Sequence, residues 1–128
     1  MIMNTQEKNE PLPVHQQKIG LHFAINGLLW AFKYQINIKI HVGALVFVLF
    51  LGLVTNLHMT EWLFVMSAIF AVLITEILNT SIEQATDAIS TKFNSTIGHS
   101  KDLAAGAVLL SALYASLVGI IIFLPKIL

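Results

Sequence analysis

Three long apolar stretches, separated by short polar segments, fill most of the chain after residue 36. They cover residues 42–55, 62–75 and 103–124. A helix that spans a bilayer needs about 20 predominantly apolar residues. The third stretch meets this length by itself, the first with its isoleucine-rich preface, and the second only if the helix continues through Glu76. The pattern therefore predicts three transmembrane helices, at about 37–55, 61–90 and 101–124.

The segment 14–35 has a different pattern, in which polar residues form only a narrow stripe. His22, Asn26 and Lys33 fall on one side of a helix, and large apolar residues occupy most of its remaining surface. This pattern is typical of a helix that lies in the membrane interface. The predicted fold is therefore a single all-α membrane domain, with a polar flexible tail over residues 1–13, an interfacial amphipathic helix and three transmembrane helices.

The composition supports a membrane protein and excludes several other classes. The chain has 56% hydrophobic and 11% charged residues, whereas soluble domains have about 45–50% apolar and about 25% charged residues. A formal net charge of zero argues against nucleic acid as a partner. The absence of cysteine excludes disulfides and cysteine-based metal sites.

The lysines predict how the chain is oriented in the membrane. Six of the seven lie before or at the start of the first predicted span, or between the second span and the start of the third, and Lys126 alone follows the last. Because cytoplasmic loops carry an excess of positive charge, we expect a multi-pass protein. Its N-terminus should be cytoplasmic and its C-terminus outside.

Polar side chains lie on one face of the second predicted span. They are spaced i, i+3, i+4, i+7 and i+11, within an arc of about 100°, and are Glu76, Asn79, Thr80, Glu83 and Asp87. Ionisable groups at membrane depth cost about 2.5–3.5 kcal/mol each on insertion scales. Their concentration on one face indicates a functional site, although a polar stripe that only pairs helices is the alternative.

The depth of each acidic residue suggests a different role. Glu76, furthest into the membrane, suits a general base for a lipid hydroxyl, whereas Glu83 and Asp87, near water, suit Mg²⁺. Lys101 is a candidate phosphate ligand at the start of the third span, with membrane anchoring as the alternative. Asp102 could cap that helix and hold Lys101 or a nucleotide group.

Other features offer less chemistry. The five histidines are scattered and form no metal-binding pair, so we interpret each as interfacial or structural. Pro125 is expected to end the third span. A non-enzymatic oligomer that uses the carboxylates as a cation path is a competing hypothesis, but the apolar stretch 62–71 argues against a continuous pore.

Two motifs resemble a known family, the small prokaryotic membrane lipid kinases that include diacylglycerol kinase and undecaprenol kinase. The first is Glu76-Ile-Leu-Asn79-Thr-Ser-Ile-Glu83 followed by Asp87, and the second, starting fourteen positions later, is Lys101-Asp102-Leu-Ala-Ala-Gly-Ala-Val. The segment Asn37-Ile-Lys39-Ile-His41 is also similar to that family.

The resemblance implies a homotrimer in the bacterial inner membrane that phosphorylates a lipid alcohol with Mg²⁺ and ATP. Diacylglycerol, converted to phosphatidic acid, is the expected acceptor, and undecaprenol is the alternative. The implied roles are general base for Glu76, support for Asn79, metal and nucleotide binding for Glu83, and nucleotide binding for Asp87, Lys101 and Asp102.

Gln35 departs from the family pattern, in which a glutamate usually stands at this position and helps Glu83 to hold the metal. Glutamine offers a neutral oxygen without a charge, which weakens the attraction for a hard cation. We therefore expect weaker Mg²⁺ binding or a changed metal site. A catalytically weakened or inactive family member is a further alternative.

Overall fold

The computed structural model describes residues 20–128, which are almost entirely helical and contain no strand. The helices are α1 (Gly20–Tyr34), α2 (Ile36–Val54), α3 (Met59–Ile89) and α4 (Ser95–Ile127). Helices α2, α3 and α4 are long and apolar enough to cross a membrane. The all-α membrane architecture is thereby confirmed. The predicted tail, residues 1–13, and the first residues of the predicted interfacial helix, 14–19, lie outside the described residues.

The chain divides into two units, and α1 belongs to the first of them, which ends at Tyr34. Within α1, the Asn26 side chain lies 3.2 Å from Nε2 of His22, one turn away, so the predicted polar stripe exists. The Lys33 ammonium lies 5.2 Å from the centre of the Tyr34 ring. Most large apolar side chains of α1 are exposed. Its place in the membrane interface stays a prediction.

Residues 55–58 form the tight turn between α2 and α3. Asn56 has a φ of 51°, a left-handed conformation that asparagine adopts more readily than most residues. Leu57 folds inward and is buried in the core. The backbone N–H of His58 donates to Oε2 of Glu61 at 2.8 Å, which satisfies a free donor before the first turn of α3.

Helix α4 begins at Ser95, six residues earlier than the predicted start of the third span. Asn94 caps it, because its Oδ1 accepts from the backbone N–H groups of Thr96, at 2.9 Å, and Ile97, at 3.3 Å. The prediction that Asp102 caps this helix is therefore wrong. Asp102 lies inside α4, where the backbone N–H groups are occupied by the helix itself.

The prediction that Pro125 ends the last helix is also wrong, since α4 continues to Ile127. The backbone N–H of Leu128 still donates to the carbonyl oxygen of Leu124 at 3.1 Å. Proline lacks one donor, but in the last turn this leaves only one carbonyl without its helical partner. The Lys126 ammonium lies 3.1 Å from Oε2 of Glu61 and so ties the end of α4 to the beginning of α3.

Helix α3 is the central helix of the second unit and contacts both α2 and α4. The apolar core lies towards the turn between α2 and α3 and includes Val65, Ala68, Val118 and Ile122. Towards the other end, the buried residues of α3 become polar, starting with Glu76. The bundle therefore has an apolar end and a polar end, and the candidate site occupies the polar one.

Candidate active site

Glu76 is a carboxylate buried in the helical bundle, with 3% of its surface exposed. Its Oε2 lies 3.8 Å from Nε2 of His41, which α2 presents to α3. That distance is longer than a hydrogen bond. Because an isolated buried charge is costly, Glu76 is a candidate functional residue.

One turn further along α3, Asn79 links the buried part of the polar face to its exposed part. The Asn79 Nδ2 donates to Oε1 of Glu83 at 3.3 Å. Asn79 is buried and its Oδ1 has no hydrogen-bond partner within residues 20–128, whereas Glu83 is exposed. The amide therefore orients one oxygen of Glu83 and keeps a free acceptor for a donor that enters the site.

Asp87 and Lys101 form an ion pair across the loop between α3 and α4. Their Oδ1 and Nζ atoms lie 2.6 Å apart, and both side chains are substantially exposed. Asp102 follows Lys101 on α4 and is also exposed. The structure thus brings the two sequence motifs together through this pair, at the water-accessible end of the polar face.

An apolar cavity of about 280 Å³ lies between α2, α3 and α4. Its wall consists of apolar residues, and His41 is the single polar residue that lines it within residues 20–128. Leu73, one turn before Glu76, also lines it. The cavity therefore reaches from the apolar core to His41, whose Nε2 lies 3.8 Å from Glu76.

The sequence profile of the prokaryotic diacylglycerol kinase family matches residues 22–123, a range that contains every residue of the candidate site. The chain belongs to the prokaryotic diacylglycerol kinase family. Membership identifies it as a lipid kinase and leaves open which lipid alcohol it phosphorylates.

Two curated relatives carry different substrate names. The chain is 37% identical to undecaprenol kinase of Bacillus subtilis (strain 168) over 90 residues, which are 70% of the chain and 73% of that relative. It is 32% identical to diacylglycerol kinase of Synechocystis sp. (strain ATCC 27184 / PCC 6803 / Kazusa) over 111 residues, or 86% of the chain. The alignment spans 63% of the length of this second relative.

Gln35 directly precedes α2 in extended conformation. Its backbone oxygen accepts from the N–H of Lys39 at 3.3 Å. Among residues 20–128, no hydrogen bond joins its side chain to Glu83, and no group of three or more acidic, histidine or cysteine side chains could hold a metal. The metal site that joins Gln35 to Glu83 therefore stays a prediction.

The sequence does not predict the contact between His41 and Glu76, because it indicates only an interfacial or structural histidine at this position. No spacing in the sequence links His41 to Glu76. The one relevant sequence feature is that His41 is the last residue of a segment that resembles the family. The sequence also does not predict the hydrogen bond between the hydroxyls of Thr75 and Ser111, whose oxygens lie 2.7 Å apart. This bond joins α3 to α4 one residue before Glu76.

Proposed function

We propose that this family member transfers the γ-phosphoryl group of ATP to the hydroxyl of a membrane lipid alcohol, at the cytoplasmic face of the bacterial inner membrane. One observation carries the proposal. A single face of α3 runs from a buried carboxylate beside an apolar cavity to the exposed pair of Asp87 and Lys101. A kinase that joins a lipid to a water-soluble nucleotide needs both surroundings on one surface.

Glu76 acts as the general base. It accepts the proton of the lipid hydroxyl while the hydroxyl oxygen bonds to the γ-phosphorus and the bond from that phosphorus to the ADP oxygen breaks. Its burial supports this role because electrostatic interactions strengthen where water is excluded. Asn79 supports the site by orienting Glu83 through the hydrogen bond of 3.3 Å.

Asp87, Lys101 and Asp102 bind the nucleotide, together with Glu83. The Lys101 ammonium has three donors, so it can keep its contact with Asp87 while it donates to a phosphate oxygen. Asp87 follows Glu76 by eleven positions in α3, which is about 16 Å along the helix axis. The nucleotide can therefore extend from water towards the buried base.

The donor set fits a magnesium ion that arrives with ATP. Mg²⁺ is usually held by one or two carboxylates, waters and substrate phosphates, and Glu83 is an exposed carboxylate with one oxygen oriented by Asn79. Glu83 would hold the ion, and Gln35 would add at most a neutral oxygen. When bound, Mg²⁺ neutralises charge on the phosphates. Within residues 20–128, no group of three or more acidic, histidine or cysteine side chains could hold a metal. This agrees with an ion that binds mainly through the phosphates of the nucleotide.

The apolar cavity takes part of the hydrocarbon chain of the acceptor, which brings its hydroxyl to Glu76. Diacylglycerol is the proposed acceptor and phosphatidic acid the product. Undecaprenol is the second candidate, supported by the 37% identity to the Bacillus subtilis undecaprenol kinase. Both are single alcohols, so the same base and nucleotide site serve either.

We further propose a homotrimer, with a cytoplasmic N-terminus and an external C-terminus. Large apolar side chains are exposed along α2, α3 and α4, which leaves surface for both lipid and neighbouring subunits. The orientation follows from the distribution of lysines. The pairing of Lys126 with Glu61 supports it, because the one lysine at the outer end is neutralised.

The test is transfer of label from γ-labelled ATP by the purified full chain in lipid vesicles, with and without Mg²⁺. Parallel vesicles contain diacylglycerol, undecaprenol or neither. We expect labelled phosphatidic acid that requires Mg²⁺. Label only on undecaprenol would replace diacylglycerol as acceptor, and no labelled lipid in either arm would overturn the proposed activity.

A further inference from the structure

His41 is the residue that the proposed mechanism leaves without a role, although α2 holds it directly against the buried base. Its Nε2 lies 3.8 Å from Oε2 of Glu76. Within residues 20–128, no hydrogen bond reaches the Glu76 carboxylate, and His41 is the one basic side chain within 4 Å of it. The His41 side chain is 28% exposed and that of Glu76 is 4% exposed, so His41 is the more accessible of the two groups.

We propose that His41 is a positioning residue for Glu76. A ring N–H of His41 donates to Oε2 and fixes the rotation of the carboxylate, so that Oε1 faces the lipid hydroxyl. The inference rests on the proposed function, in which Glu76 takes that proton. The imidazole itself neither gains nor loses a proton in the step.

The distance is compatible with this role. A hydrogen bond between nitrogen and oxygen is about 2.7–3.2 Å long, so a movement of less than 1 Å brings Nε2 and Oε2 together. Hydrogen bonds between catalytic groups are often long before substrate binds and shorten in the complex. A base oriented by a third side chain is a recurring arrangement in enzymes that activate a hydroxyl.

In this proposal, a lipid chain in the apolar cavity shortens the distance between Nε2 of His41 and Oε2 of Glu76. His41 is its single polar lining residue, and Leu45, one turn further along α2, is part of the same wall. Leu73 lines the opposite side, one turn before Glu76. A lipid chain in the cavity therefore touches the helices that carry both partners, and occupancy is coupled to the orientation of the carboxylate.

This role makes a specific prediction about kinetics. Removing the ring should lower kcat while the KM for ATP stays unchanged, because the nucleotide residues lie at the other end of the polar face. Misplacing a reacting group by about 1 Å can cost about 100-fold in rate. We expect His41→Leu, which puts an apolar side chain in the place of the ring in the cavity wall, to lower kcat by about 10- to 100-fold.

Two amide variants separate positioning from packing. Glutamine can place its N–H about as far out as histidine Nε2, whereas asparagine is one methylene shorter. We therefore expect His41→Gln to recover most of kcat and His41→Asn to remain as slow as His41→Leu. His58→Leu is the matched control, since His58 is exposed and lies about 27 Å along α3 from Glu76.

The experiment measures kcat, KM for ATP and Tm for each variant, and for Glu76→Gln with and without His41→Leu. The proposal predicts that the double variant is no slower than Glu76→Gln alone, because His41 acts only through Glu76. Equal rates for the glutamine and asparagine variants, an unchanged kcat in His41→Leu, or a further loss in the double variant would overturn it. An active Glu76→Gln would instead overturn the proposed function. If His41→Leu does not fold, the comparison of glutamine with asparagine decides.

Discussion

Gly52 of α2 lies directly against the Trp62 ring of α3, and replacing it tests the packing of the two helices that carry His41 and Glu76. A Cβ atom at Gly52 would lie 2.6 Å from Cη2 and 3.0 Å from Cζ2 of Trp62, and 3.1 Å from Cδ1 of Leu57. Real Cβ atoms essentially never come within 3.0 Å of a neighbouring heavy atom, so the contact of 2.6 Å cannot form unless an atom moves. The variant Gly52→Ala therefore forces the rigid indole ring of Trp62 to move within the core.

The expected magnitude is a balance of two effects. Overpacking a core costs about 1–3 kcal/mol, while alanine is favoured over glycine in a helix by about 1 kcal/mol. Gly43, on the same helix, has open space around its Cβ position, so Gly43→Ala should show only the favourable effect. We therefore expect the free energy of unfolding to be lower in Gly52→Ala than in Gly43→Ala by about 1–3 kcal/mol.

The assay is unfolding of the purified protein in detergent micelles by titration with a denaturing detergent, followed by circular dichroism. A double variant adds Trp62→Leu, which removes the ring atoms that clash. Gly52→Ala should cost less in that background. Equal stability of Gly52→Ala and Gly43→Ala, or an unchanged cost after Trp62→Leu, would refute the close packing of α2 on α3.

Four further variants test the metal site, the nucleotide site and the contact between α3 and α4. Gln35→Glu should lower the Mg²⁺ concentration needed for half-maximal kinase rate or raise the rate; if it does neither, Gln35 is not near the metal. Lys101→Met should raise the KM for ATP and leave the KM for lipid unchanged, and a change in the lipid KM alone would contradict its role. Asp87→Asn should have a smaller effect, because Lys101 keeps its charge. Thr75→Val removes the hydrogen bond to Ser111 and should lower the free energy of unfolding by about 0.6 kcal/mol, which an unchanged denaturation midpoint would contradict.

The sequence was sufficient to predict the three spans and the polar face of α3, because both depend on local periodicity. Glu76 and Asn79 needed only helical geometry to be placed on one side of a helix. The start of α4 was predicted too late, since Asn94 is a good cap but precedes a polar first turn that resembles a loop. Hydropathy alone does not find such a turn.

Contacts between distant parts of the chain were beyond the sequence. His41 and Glu76 lie 35 positions apart, and Glu61 and Lys126 lie 65 apart. No period or spacing links such pairs, since each depends on how two helices pack. Gly52 resembles any small residue of a membrane helix until the ring of Trp62 is placed beside it.

The central claim is that Glu76 is the base of a lipid kinase, and Glu76→Gln tests it most directly. Phosphoryl transfer to lipid and nucleotide affinity should be measured on the same preparation, with Glu61→Gln, at the other end of α3, as the matched control. A general base contributes about 10²- to 10⁴-fold to a rate. The rate of phosphoryl transfer should therefore fall at least about 100-fold in Glu76→Gln, while the affinity for ATP stays that of the unmodified chain. Transfer that persists in Glu76→Gln, or a loss of ATP binding that accounts for the lower rate, would contradict the claim.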